Sequence, residues 1–138
     1  MGEPFAAWTE ELSVGVAALD DDHRKLIAIL NELHDGIMAG HKKEVLASVL
    51  GHLVDYAKFH FANEEEFFAR INYPFAPAHK MEHSNFVNRI TNLRERFKSA
   101  PVAMLDLELM SFLRNWLVTH IQGSDKQYGP HLNAKGIS

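Results

Sequence analysis

The chain has no cysteine, which excludes disulfides, thiolate nucleophiles, zinc fingers and iron–sulfur clusters. Nor does it have a long apolar run: none approaches the ~20 residues that span a bilayer. There is no basic excess, because 14 Lys+Arg stand against 18 Asp+Glu, a net charge of −4. A mildly acidic chain with scattered cations lacks the electrostatic footprint of a nucleic-acid binder. The opening Met1-Gly2-Glu3-Pro4-Phe5 puts no basic segment before an apolar run, so no secretory signal is expected there and the cytoplasm is the expected compartment. Proline and glycine are few, five and eight. What remains is ordinary for a soluble globular protein of one domain, 1–138, with 46% apolar and 23% charged residues. One count departs from the ordinary: nine histidines.

The breakers cluster at Gly36 and Gly40, Pro74 and Pro77, Ser99-Ala100-Pro101, and Gly123. Between them the apolar residues recur in steps of three and four, never in the alternation of strands. The pattern predicts four helices at about 20–39, 42–71, 77–98 and 102–122, with short connections. Asp20 is the expected N-cap of the first, with Asp21 and Asp22 in its first turn. Ala76 and Ser99, each just ahead of a proline, mark the starts of the third and fourth. Near-heptad stripes and short loops imply an all-α, up-down-up-down antiparallel four-helix bundle. Residues 1–19 form an N-terminal arm anchored by Trp8, and 123–138 a short C-terminal segment read as a polar tail from 126 on.

Each stripe is apolar except for a few ionisable residues: His23 in the first helix, His60 and Glu64 in the second, His79 and His83 in the third, His120 in the fourth. Burying such groups without partners costs several kcal/mol or forces them neutral. In an antiparallel bundle the start of the first and third helices and the end of the second and fourth share one end. All six residues therefore fall in one slice of the core. The pairs His60/Glu64 and His79/His83 are i,i+4, on one helix face about 6 Å apart, a separation that lets both grip one metal or span two. Imidazoles and carboxylates converging on a point suit a first-row transition metal. Asp125, at i+5 from His120, points away on a straight α-helix, but Gly123 offers a break or bend that swings it back.

This series resembles the hemerythrin signature: His23, His60-x-x-x-Glu64, His79-x-x-x-His83, His120-x-x-x-x-Asp125. The flanks Asp22-His23-Arg24-Lys25-Leu26-Ile27 and Trp116 through Tyr128-Gly129 agree, and the likeness is to the short, single-domain bacterial members, the bacteriohemerythrins. The resemblance implies two non-heme iron ions, oxo- or hydroxo-bridged, with Glu64 and Asp125 as carboxylate bridges. It assigns His79, His83 and His120 to one iron. It assigns His23 and His60 to the other, which keeps an open position where O₂ binds reversibly, taking up two electrons and the bridging proton. Five neutral imidazoles and only two carboxylates favour the ferrous pair, hence reversible binding over substrate oxidation. By helical phase Leu26, Trp116 and Leu117 wall the site, and the resemblance adds Phe61 and Ile121 to this O₂ pocket.

The expected function is O₂ carriage, storage or sensing, without catalytic residues. A diiron enzyme (an oxidase, a peroxidase or a nitric-oxide-handling protein) and an iron store are the alternatives on the same scaffold. O₂ is the only expected ligand, with no nucleic-acid or membrane partner and a monomer as the default. The reductant and any protein partner are not read from the sequence. His34, His41, His52 and His131 lie too far along the chain or in turns to join the centre. Glu65 and Glu66 are expected in solvent, and Phe59, Phe67 and Phe68 in the core.

Overall fold

The computed structural model describes residues 4–138, so the first three residues of the expected arm lie outside it. Among the described residues there is no strand. Four helices make the antiparallel bundle: α1 (Ala17–Met38), α2 (Lys43–Ile71), α3 (Ala76–Phe97) and α4 (Leu107–His120). The boundaries follow local chemistry. Gly40, at φ 73°, ends α1 in the left-handed conformation that glycine adopts without a Cβ penalty. The amides of Gly40 and His41 close back on Ile37 and Gly36 at 3.1 and 2.9 Å, which satisfies two of the last carbonyls. Asn72, at φ 51°, does the same for α2, and the Tyr73 amide bonds the Phe68 carbonyl at 3.0 Å. Pro77 sits in the first turn of α3, where its missing N–H costs nothing.

Three boundary expectations need correction. First, α1 starts at Ala17, so Asp20 is inside the helix and does not cap it by position. Its carboxylate instead reaches back to Ser13 Oγ at 2.6 Å and the Val14 amide at 2.8 Å, tying down the arm. Second, Ser99 does not start the fourth helix. Pro101 leads into a single 3₁₀ turn, Val102–Met104. The helix proper begins after Asp106, whose Oδ1 accepts from the Leu109 amide at 2.8 Å, an N-cap seven residues beyond the expected Ser99.

Third, residues 126–138 are not merely a polar tail. α4 runs into a π-turn, Ile121–Asp125, and then into α5 (Lys126–Ala134). Tyr128 and Leu132, spaced i,i+4, are fully buried. Gly129 and Pro130 read as breakers in sequence, yet both lie within α5. Glycine is required at 129 because the chain crosses there: a Cβ would stand 2.2 Å from the Val14 carbonyl oxygen. Further bonds run from Asn133 Nδ2 to the Gly15 carbonyl, 3.0 Å, and from Lys126 Nζ to the Glu11 carbonyl, 2.6 Å. The arm itself is held by paired bonds between Asn31 and the Ala6 backbone. The Arg24 guanidinium lies over the half-buried Trp8, 4.6 Å from the ring centroid, as an anchor for the arm requires. No helix among the described residues is long and apolar enough to cross a membrane.

Candidate metal centre

The bundle brings His23, His60, Glu64, His79, His83, His120 and Asp125 together at one end, each buried. They form two groups whose donor atoms lie within 4.8 Å of one another. One comprises His79, His83, His120, Glu64 and Asp125; the other comprises His23, His60 and the same two carboxylates. Asp125 arrives by a route the sequence did not disclose. The α-helix does give way around Gly123, as a π-turn over Ile121–Asp125, but not through a left-handed glycine: the Gly123 φ is not positive, and space is open around it. The π-turn instead adds one residue to the helical turn, so a residue at i+5 comes round to the face that i+4 would hold.

The donors crowd without bonding. Asp125 Oδ1 lies 2.7 Å from His79 Nε2 and 3.0 Å from His120 Nε2, and Oδ2 lies 3.0 Å from His23 Nε2. Glu64 Oε1 lies 3.1 Å from His83 Nε2 and 3.2 Å from His60 Nε2. These contacts are close but out of line for hydrogen bonds. The Nε2 atoms of all five histidines, Glu64 Oε1 and both Asp125 oxygens are buried without a hydrogen-bond partner. Orphaned buried polar atoms are rare and each needs a reason. Lone pairs of nitrogen and oxygen converging on two shared points fit cations seated between them.

Without a cation, protons take its place. Burial opposes charge on His23 and His120, but Asp125 and Glu64 outweigh it and raise their pKa values to about 10 and about 9. Burial likewise favours neutral carboxyls, yet the imidazoles around Glu64 and Asp125 hold both well below the usual carboxylate range.

A set of carboxylates that the sequence reading missed grips the outer nitrogens. Asp22 Oδ2 lies 3.0 Å from His60 Nδ1, Glu65 Oε2 3.0 Å from His83 Nδ1, and Glu82 Oε1 3.2 Å from His120 Nδ1. Such partners fix the tautomer, leaving Nε2 free for a metal, and raise the basicity of the ring. Glu65 is therefore not merely in solvent, whereas Glu66 pairs with Arg70 at the surface as an exposed residue should. A pattern does exist in the chain. Each acid is the immediate neighbour of a donor on its own helix, and each serves the histidine of the next helix. Asp22 and Glu82 precede His23 and His83 on α1 and α3, while Glu65 follows Glu64 on α2. That reversal is what antiparallel direction demands of residues on one rotational side of the core. The corresponding position after His120 is the apolar Ile121, and His23 Nδ1 is buried with no partner.

Aromatic rings hold the imidazole planes. Phe61 stacks on His83 at 3.9 Å, Trp116 on His120 at 4.6 Å, and Phe68 meets His79 edge-on at 4.8 Å. Tyr128 donates its hydroxyl to Glu64 Oε2 at 2.5 Å. Its role was not legible because α5 was not expected.

Of the five residues assigned to the wall, Leu26, Phe61, Leu117 and Ile121 are buried and Trp116 is half-buried. Leu26, Phe61 and Leu117 line a small apolar cavity of about 10 Å³, together with Leu53, Phe86 and Leu113 among others. That is room for about one small molecule, and the walls offer a water no polar partner. Trp116 and Ile121 do not line it. His34 stacks on Phe5 at 4.1 Å, His131 packs on Tyr73, and His41 and His52 are exposed, so none of the four approaches the cluster. Phe59, expected in the core, is exposed. One residue before His60 it turns off the inward stripe and leans on Tyr56.

The chain is similar to known proteins over most of its length. Residues 14–132 match the family model described as the hemerythrin HHE cation binding domain. The chain is 35% identical over 127 residues to a bacteriohemerythrin of Stenotrophomonas maltophilia, covering 92% of this chain and 81% of that one. It is 35% identical over 128 residues to a bacteriohemerythrin of Methylococcus capsulatus, covering 92% and 96%. A crystal structure described as wild-type hemerythrin superposes with a TM-score of 0.86 at 33% identity, covering 93% of this chain and 98% of that one.

Proposed function

The chain belongs to the hemerythrin family, and from that premise we propose that it binds O₂ reversibly at a non-heme diiron centre and is not an enzyme. The observation that carries the reading is the unequal division of the orphaned donors. His79, His83 and His120 serve one group, and only His23 and His60 serve the other, with Glu64 and Asp125 common to both. A shared carboxylate pair suits bridging. A group with one nitrogen fewer leaves a position for an external ligand, as open metal sites do. When bound, an iron pair supplies the two electrons that O₂ binding takes up.

The protein's own residues then decide how that chemistry runs. Asp22, Glu65 and Glu82 orient three of the imidazoles. Tyr128 holds Glu64 from the side away from His60 and His83. Leu26, Phe61 and Leu117 line an apolar space that reaches the centre through Phe61, which packs on His60 and His83, and such a wall excludes water and slows the proton entry that would let the electrons be lost. Nothing in that wall offers a proton path to a bound substrate, which argues against oxidase or peroxidase turnover.

Elemental analysis of anaerobically loaded protein tests the reading. Iron should stop at two per chain. Many irons per chain would mean an iron store. Steady consumption of a reductant with O₂ or peroxide would mean a diiron enzyme.

A further inference from the structure

We propose that Glu82 is a positioning residue that sets two donors at once, clamping His120 and, through Ser124, the π-turn that delivers Asp125. The proposal rests on the metal-binding reading above and deepens it. Glu82 lies on α3 between His79 and His83 but turns away from them. Its Oε1 meets His120 Nδ1 at 3.2 Å. The Ser124 hydroxyl donates to Oε1 at 2.8 Å and to Oε2 at 2.9 Å. One carboxylate thus ties α3 to the last residue of α4 and to the residue just before Asp125.

The π-turn needs such a tie. A π-turn is a rare departure from the α-helix, so a side-chain bond that exists only in this register favours it over the α-helical one. Glycine does not hold this one, because Gly123 has no positive φ and a Cβ there would meet nothing within 4 Å. If the turn tightened to α-helix, Asp125 would rotate about 100° off the face of His120. Ser124 is the residue of the turn whose side chain is bonded across to another helix. The two bonds also converge on the metal centre: His120 belongs to the set with His79 and His83, and Asp125 belongs to that set and to the one with His23 and His60.

The test uses cobalt(II), whose visible bands report coordination geometry, titrated into the metal-free full-length protein in competition with a chelator. Wild-type protein should take up two cobalt ions per chain. Failure there overturns the metal-binding reading itself. Given two ions in the wild type, Glu82→Ala and Ser124→Ala should each weaken the ion of the His120 group by about 10- to 100-fold, the usual scale for an outer partner of a metal-bound histidine, and the other ion less, because it shares Asp125 but not His120. Their bands should shift as well. The double variant should be no worse than Glu82→Ala alone, since both break one clamp. Glu82→Gln, whose amide oxygen can still accept from His120 and Ser124, should recover most of the affinity and the wild-type band shape. Gly123→Ala should bind as wild type. Wild-type affinity and spectrum in Glu82→Ala would overturn the clamp. So would additive losses in the double variant, or failure of Glu82→Gln to restore the spectrum. Because Glu82 is partly exposed, these variants should fold, and their circular dichroism is the control.

Discussion

Glu64 belongs to both donor groups, so Glu64→Ala should cost both metals and not one. Iron per chain, measured after anaerobic loading and desalting, should fall from two towards zero; two irons retained would remove Glu64 from the centre. Leu117 lines the apolar cavity beside Phe61. Leu117→Ala enlarges that space and lets water approach, so the iron content should persist while autoxidation of the oxygenated protein accelerates. An unchanged autoxidation rate would show that the wall lies elsewhere. The inward ionisable residues could be recognised in sequence because each interrupts an apolar stripe, which only a partner can justify. The outer carboxylates could not. Asp22, Glu65 and Glu82 sit one residue off the inward face, where a side chain turns to solvent as easily as to the next helix. Only the packing of the neighbouring helix decides between the two.

At the scale of elements, the four bundle helices were legible from their three-and-four spacing and the ends of α1–α3 to within a few residues. The last quarter of the chain was not. Its π-turn shifts the register by one residue without a signature residue, and α5 is recorded by only two apolar side chains, Tyr128 and Leu132, around an apparent Gly-Pro breaker. The crossing of α5 over the arm gives this region its own test. A methyl at Gly129 would meet the Val14 carbonyl oxygen, and relieving such an overlap costs roughly 1–3 kcal/mol. Gly129→Ala should therefore lower the thermal midpoint by several degrees. It should also loosen Tyr128 from Glu64. An unchanged midpoint would mean that the arm is not packed there. Asp106→Ala removes the α4 cap and should cost about 1 kcal/mol. Metal content should not change, because that cap lies at the opposite end of the helix from His120.

For the molecule as a whole, the cluster couples stability to pH in a way that metal should abolish. In metal-free protein His23 and His120 titrate at about 10 and about 9 in the folded state, above the ordinary histidine value near 6.5. Their stabilisation is therefore complete below about 6.5 and is lost as pH rises through 9 to 10. Glu64 and Asp125 are depressed, so their stabilisation holds above the ordinary carboxylate range and fades as pH falls below it. The metal-free midpoint should be highest between these limits and fall on the alkaline side. Metal-loaded protein should show no such alkaline fall, because cations replace the protons, and loading at neutral pH should release protons. Thermal unfolding of both forms from pH 5 to 11 would check this; identical profiles would show that the protons and the metals do not share the site.

The central claim is tested most directly by the visible spectrum of the iron-loaded, anaerobically reduced protein, recorded before O₂, after O₂ and after purging with inert gas. The reduced form should be nearly colourless, O₂ should raise a charge-transfer band, and purging should restore the first spectrum through repeated cycles. Irreversible decay to an oxidised spectrum, or no band despite two bound irons, would contradict reversible O₂ binding beside His23 and His60.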